Sequence, residues 1–239
     1  MKLKLIEKRI EAKDTKSFWF ETEKKVDWIP GQYFYFTIPS PKFPDAKGNT
    51  HHFTIFLSPT EGSTIGFTTR MRDTSNYKKS MDALSVGTEI EGEGPEGTFV
   101  LDEKEKGPHI LLAGGIGITP FRSVIKYSVD KGLKDTLHLI YANSTPEEIA
   151  FRKELEAWDK ENAHIKVDMT ISKPEESKEN WTGLVGRIDE ALVKKVSSLY
   201  TKPTFWVCGP PAFIDAMEKT LGQMRITSDM VRSEKFTGY

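Results

Sequence analysis

The sequence predicts an antiparallel β-barrel followed by a doubly wound α/β domain built on a parallel sheet. Three observations predict it. Residues 1 to about 102 hold short β-type runs separated by turn signals, with helical spacing scarce. Residues 108 to 239 alternate between strand-like and helix-like patterns, which implies parallel strands joined by helical crossovers. The second half also opens on "LLAGGIGITPFRSVI": an apolar run, three glycines within four residues, then an amphipathic stretch.

In the first half the strand-like runs are "SFWFET", "QYFYFTI", "FTIFL", "TIGFTTRM", "GTEIEGEG" and "TFVL". Short strands at this density, with turn residues between them, read as a small barrel over residues 1–104. Helical spacing occurs there only around residues 77–84. The charged, turn-rich "LDEKEKGPH" reads as a linker, which sets the second domain at 108–239. In that domain, strand 110–113 leads to helix 120–131, which stops at Gly132, and strand 136–142 leads to helix 146–159. Thr145-Pro146-Glu147-Glu148 reads as a capping box for that second helix. "HIKVDMTI" is a strand, "IDEALVKKVSSL" a helix, "TFWVCG" a strand, "PPAFIDAMEKTLG" a helix and "DMVRSEKF" a last strand.

The glycine turn carries the first chemistry. Thr119 suits an N-cap and Pro120 the first helical position, where a missing N–H costs nothing. Gly114, Gly115 and Gly117 then form a tight turn into a helix N-terminus, where free N–H groups and close backbone approach suit a pyrophosphate. The pattern from Gly115 is G-x-G-x-x-P, with Pro120 where the dinucleotide fingerprint has its last glycine. An ordinary glycine turn is the alternative reading.

Composition narrows the function. Lys and Arg total 34 against 35 Asp and Glu, a formal net charge of −1, which argues against a general binder of nucleic acid or acidic membrane. The apolar runs are too short to span a bilayer, and the opening Met1-Lys-Leu-Lys-Leu-Ile runs at once into charges, unlike a secretory core. The single cysteine, Cys208, excludes an internal disulfide and a cysteine-held iron–sulfur cluster. A cytoplasmic protein is expected.

Six motifs follow one another along the chain: "HHFTIFLSP", "SNYKKSMDAL", "GEGPEGTF", "AGGIGITPF", "CGPP" and the terminal "SEKFTGY". In this order they resemble the ferredoxin–NADP reductase superfamily over nearly the whole chain, in its stand-alone two-domain form without an iron–sulfur domain. The resemblance implies an FAD-binding barrel, an NAD(P)-binding α/β domain and no metal.

The resemblance also assigns residues. Phe53 would pack on one flavin face and Thr54 would offer its hydroxyl near flavin N5, whereas on residue type alone both are ordinary barrel-strand residues. His51 stands where most of the family has a phosphate-binding arginine, and a titrating imidazole replaces a fixed charge. His52 points to the opposite face of the strand and takes no role. Asn76, Tyr77 and Lys78 form the second flavin turn, where Lys78 replaces a hydroxyl residue and supplies charge to the flavin pyrophosphate; the alternative is a solvated helix face. Arg70 either reaches flavin or phosphate or pairs with a carboxylate.

For the dinucleotide, the assigned residues are Gly114, Gly115, Gly117, Thr119, Pro120, Asn143, Ser144, Cys208, Gly209 and Pro210. Cys208 ends an apolar strand, where open α/β sheets bind ligands, and the resemblance puts it beside the nicotinamide; buried packing is the commoner role for its type. The resemblance makes Glu234 a polar group near the reaction centre and sets Phe236 over the second flavin face, with Tyr239 over the adenine side or without a role. Thr54, Cys208 and Glu234 make up the catalytic set. Asn143 and Ser144 supply hydrogen bonds where an NADPH site usually has arginine, which favours NADH.

The expected activity is hydride transfer from NADH or NADPH to bound FAD, then electron transfer to an acceptor such as ferredoxin, flavodoxin or another redox protein. The alternatives are a flavin-bearing electron-transfer subunit of a larger redox complex, a free-flavin or ferric reductase, and a non-catalytic nucleotide sensor.

Overall fold

The computed structural model describes residues 1–236, so the expectation for Tyr239 lies outside the described residues. The first half contains β1 (Lys2–Ala12), β2 (Thr15–Thr22), β3 (Tyr33–Thr37), β4 (Thr50–Thr54), β5 (Ile65–Arg70), α1 (Asn76–Ala83) and β6 (Glu89–Glu96). The strands form one antiparallel sheet in the order β4-β3-β6-β1-β2-β5. Alternation turns Leu3, Leu5, Phe18, Phe20, Phe34, Phe36 and Phe67 inward, all fully buried. The sheet curls until its two end strands meet: the rings of Phe53 on β4 and Phe67 on β5 stack at 4.2 Å and 12°.

The second half contains β7 (His109–Gly114), α2 (Ile118–Lys131), β8 (Leu137–Asn143), α3 (Arg152–Glu161), β9 (Ile165–Ile171), β10 (Leu184–Val185), α4 (Glu190–Ser197), β11 (Thr204–Gly209), α5 (Pro211–Gln223) and β12 (Val231–Lys235). The sheet is parallel throughout, in the order β10-β9-β8-β7-β11-β12. Strand order reverses between β7 and β11, the switch point at which open α/β sheets bind ligands.

Four local expectations are corrected. α2 starts at Ile118, because Gly115–Gly117 is a 3₁₀ turn that runs straight into the helix; Thr119 does not cap it, and its hydroxyl bonds Ile116 O at 3.2 Å. α3 starts at Arg152, and Pro146–Glu148 is a lone 3₁₀ turn without a side-chain cap. Burial of Ile149, Ala150 and Phe151 overrides the capping signal there: Phe151 takes φ +58° and stacks on Phe56 at 5.4 Å. β4 ends at Thr54, because the rest of "FTIFL" turns toward the second domain, where Leu57 O accepts from Trp28 Nε1 and Ser123 Oγ. "TFVL" joins no strand, whereas β1 and β10 were not expected.

Arg122 of α2 pins the two halves together. Its side chain is 4% exposed, forks onto Glu61 from the barrel and Glu154 from α3, and lies over Phe56, Phe151 and Trp158. This buried charge network fixes the seam in which the candidate site lies.

Candidate active site at the domain seam

The seam opens into a cavity walled from both sides. The barrel supplies Tyr33, His52, Phe53, Thr54, Arg70, Arg72 and Lys78, and the α/β domain supplies Gly115, Ile116, Thr119, Pro210, Glu234 and Phe236. Period-two alternation along β4 sets His52 and Thr54 on one face, while the ring of Phe53 turns toward Phe67. Ser75 caps α1, accepting from Lys78 N at 3.3 Å, so Lys78 sits in the first turn. Its buried ammonium donates to Arg70 O at 2.9 Å. Burial, reinforced by the charges of Arg72 and Arg70, pushes the Lys78 pKa down to about 8.

From the other side, β12 runs parallel to β11 with Glu234 opposite Cys208 and Lys235 opposite Gly209. Glu234 Oε2 is buried without a hydrogen-bond partner, and burial raises the carboxyl pKa to about 7. Phe236 N donates to Gly209 O at 3.1 Å, which anchors the aromatic segment over the cavity. Gly115 takes φ +52°, and the space its missing Cβ would occupy is open. A Cβ on Gly117 would lie 2.1 Å from Cys208 O, so the β7 turn packs on the end of β11 backbone to backbone.

A second cleft runs along the carboxyl ends of the parallel strands, lined by Gly114, Asn143, Ser144, Glu148, Ser172, Arg187 and Phe213 among others. Arg70, Gly115 and Pro210 border both spaces.

Two family models match the chain and leave little of it uncovered: an oxidoreductase FAD-binding domain over residues 2–101 and an oxidoreductase NAD-binding domain over residues 111–219. The chain belongs to the ferredoxin–NADP reductase superfamily. Among solved structures, a ferredoxin NADP+ reductase from Neisseria gonorrhoeae with bound FAD and NADP aligns with a TM-score of 0.80 at 18% identity, covering 98% of each chain. A flavohemoprotein of Bacillus subtilis is 28% identical over 97% of this chain and 58% of its own length. An NADH-cytochrome b5 reductase 1 of Cryptococcus neoformans is 33% identical over 62% of this chain and 53% of its own. The chain thus spans somewhat more than half the length of these curated relatives.

In this ferredoxin–NADP reductase superfamily chain, Phe53, Thr54, Arg70, Lys78, Gly115, Thr119, Pro210, Glu234 and Phe236 line the seam cavity. Gly114, Asn143 and Ser144 line the cleft. His51, Asn76, Tyr77, Gly117, Pro120, Cys208 and Gly209 line neither. His51 stacks on Tyr77 at 4.1 Å; its Nε2 is buried without a partner, and burial lowers its pKa. Tyr77 is a core residue whose hydroxyl donates to Phe36 O at 2.8 Å, and Asn76 Nδ2 donates to Pro44 O. Cys208 is fully buried behind the wall, and burial, then the nearby Glu234, pushes its thiol pKa well up.

Sequence reasoning gave His52 no role; it lies on the strand face opposite His51, reaches the cavity wall and packs on Tyr33 at 4.9 Å. The signal was present, since His52 lies two residues from Thr54 on the same face. Tyr33, Arg72, Glu148 and Arg187 were also missed, and Glu148 and Arg187 have no local signal that separates them from surface charges.

Proposed function

We propose that the chain is an FAD-dependent NAD(P)H oxidoreductase that takes hydride from a nicotinamide dinucleotide in the seam and passes electrons to a redox partner. The observation that carries this reading is one cavity with Phe53 and Thr54 on its barrel wall and Glu234 and Phe236 on the other. The residues fit FAD. Arg72 and Lys78 offer cationic groups for the FAD phosphates, and Glu234 presents one buried carboxyl oxygen that lacks a partner. Bound FAD would supply hydride acceptance and the release of single electrons.

The protein's own part is positioning and proton control. Thr54 can donate or accept at the reaction centre. Glu234, poised near neutrality, holds or releases a proton there. Phe236, which lines the cavity opposite Phe53, would cover a ring held there. Gly115 lets the backbone approach a diphosphate.

The reading favours NADH. Asn143 and Ser144 line the cleft as neutral groups and Glu148 opposes a further phosphate, with Arg187 the counterweight on the same wall. The relative named for NADH points the same way. The acceptor is a redox protein of the ferredoxin, flavodoxin, cytochrome or oxygenase kind. The shared half-length match also supports a second reading, a reductase module serving a larger redox assembly. The visible spectrum tests the first reading: purified protein should hold FAD and bleach anaerobically with NADH at lower concentration than with NADPH. Colourless protein that takes up no FAD would overturn it.

A further inference from the structure

Arg70 borders both the seam cavity and the nucleotide cleft. It comes from the barrel and meets Glu148, on the loop after β8, with Nη2 2.7 Å from Oε2. The two side chains are 28% and 15% exposed. Glu148 Oε2 nevertheless accepts no hydrogen bond. Charge holds the pair, without the aligned fork that makes arginine–carboxylate pairs strong.

Three neighbours on the same segment share this lack. The Tyr141 hydroxyl, both amide atoms of Asn143 and the Thr145 hydroxyl are buried and without partners. The residues are 0%, 7% and 1% exposed. Burial pushes the Tyr141 phenol pKa up, while the Asn143 side chain, the Ala150 backbone and the charge of Arg70 beside it oppose that rise. Native interiors satisfy nearly all such groups, so this concentration within residues 141–148 calls for an explanation. The segment carries donors for a carboxylate beside a carboxylate committed to a poorly aligned cation.

We propose that Glu148 is a displaceable counter-ion: the dinucleotide's diphosphate takes Arg70 from it, and the released carboxylate is received by Tyr141, Asn143 and Thr145. An arginine left unpaired at a half-buried junction between two domains is unfavourable, so the internal anion holds it until the external one arrives. Glu148 is then a positioning residue that acts through Arg70 and lowers nucleotide affinity by competing for the same cation. This inference rests on the reading that a dinucleotide occupies the cleft.

Calorimetric titration of the FAD-loaded protein with ADP-ribose, NAD+ and adenosine tests it. Glu148→Gln removes the charge and keeps the shape. ADP-ribose and NAD+ should bind about tenfold tighter to it, the scale of an ordinary coupling between sites, while adenosine binds as before. The gain should vanish in an Arg70→Gln background, and Glu148→Asp should restore the weaker binding. Thr145→Val, which removes a receiving donor, should weaken ADP-ribose binding and spare adenosine; it also tests the idea should Glu148→Gln not fold. No gain for ADP-ribose, or an equal gain for adenosine, overturns the counter-ion role while leaving the dinucleotide reading intact. Wild-type protein that binds neither ADP-ribose nor NAD+ overturns both.

Discussion

Cys208 and Glu234 face each other across the parallel pair β11–β12, yet only Glu234 reaches the seam cavity. Cys208 is sealed behind the wall as a neutral thiol, while Glu234 keeps a carboxyl poised near neutrality. On the proposed function, proton control at the site falls to Glu234. Glu234→Gln should slow flavin reduction by NADH by about 10²-fold or more and remove a pH step near 7. Cys208→Ala should change the rate far less. Stopped-flow reduction across pH 5.5–8.5 checks both, and a pH step that survives in Glu234→Gln would exclude this role.

The same group makes a stability prediction. Its folded pKa lies above the ordinary carboxylate value of 4.5, so the linked stability is fully present below that value, is lost as pH rises from there through about 7, and changes no further above it. Between about pH 4.5 and 7.5 the melting temperature of the wild-type apoprotein should fall relative to that of Glu234→Gln. Parallel melting curves would refute the shift.

Lys78 is charged only below about 8, because burial depresses its pKa. If it holds flavin phosphate, FAD retention should weaken as pH rises through that value. Lys78→Met should cost about 1.5–3 kcal/mol of FAD binding and flatten its salt dependence. Equilibrium dialysis at two ionic strengths measures this; unchanged affinity and salt slope would return Lys78 to a structural role.

Arg122 joins the two halves through Glu61 and Glu154 with its side chain 4% exposed. Arg122→Ala should cost about 1–3 kcal/mol, since it leaves the mostly buried Glu61 carboxylate unpaired and removes the guanidinium from three aromatic rings, while the more exposed Glu154 turns to water. Adding Glu61→Gln and Glu154→Gln should recover part of that loss, read from urea midpoints. Additive losses would mean the three side chains do not act as a unit.

The two turn glycines should separate cleanly. Gly117→Ala puts a Cβ 2.1 Å from Cys208 O, where only backbone can yield, and should cost about 3 kcal/mol or more. Gly115→Ala meets open space and should cost only the left-handed strain, about 1–2 kcal/mol, while narrowing the approach of a diphosphate. Thermal melts rank the two, and the opposite order would contradict the packing described.

Contiguous residues determined much by themselves. The glycine turn, the strand–helix alternation and the alternating apolar residues each lie within a short stretch, so local periodicity and backbone freedom made the two domains and the β7–α2 turn legible. The order of motifs also marked Phe53, Thr54, Lys78, Glu234 and Phe236, which the seam brings to one cavity. Only the tertiary structure decided the rest. Burial of residues 149–151 against the barrel overrode the capping box and delayed α3 to Arg152. The pairing of β11 with β12 set Cys208 behind the wall and Glu234 on it. Arg70 met Glu148 across 78 positions of sequence only because the domains pack. Such contacts join residues far apart in the chain and depend on how two sheets abut, which no local pattern encodes.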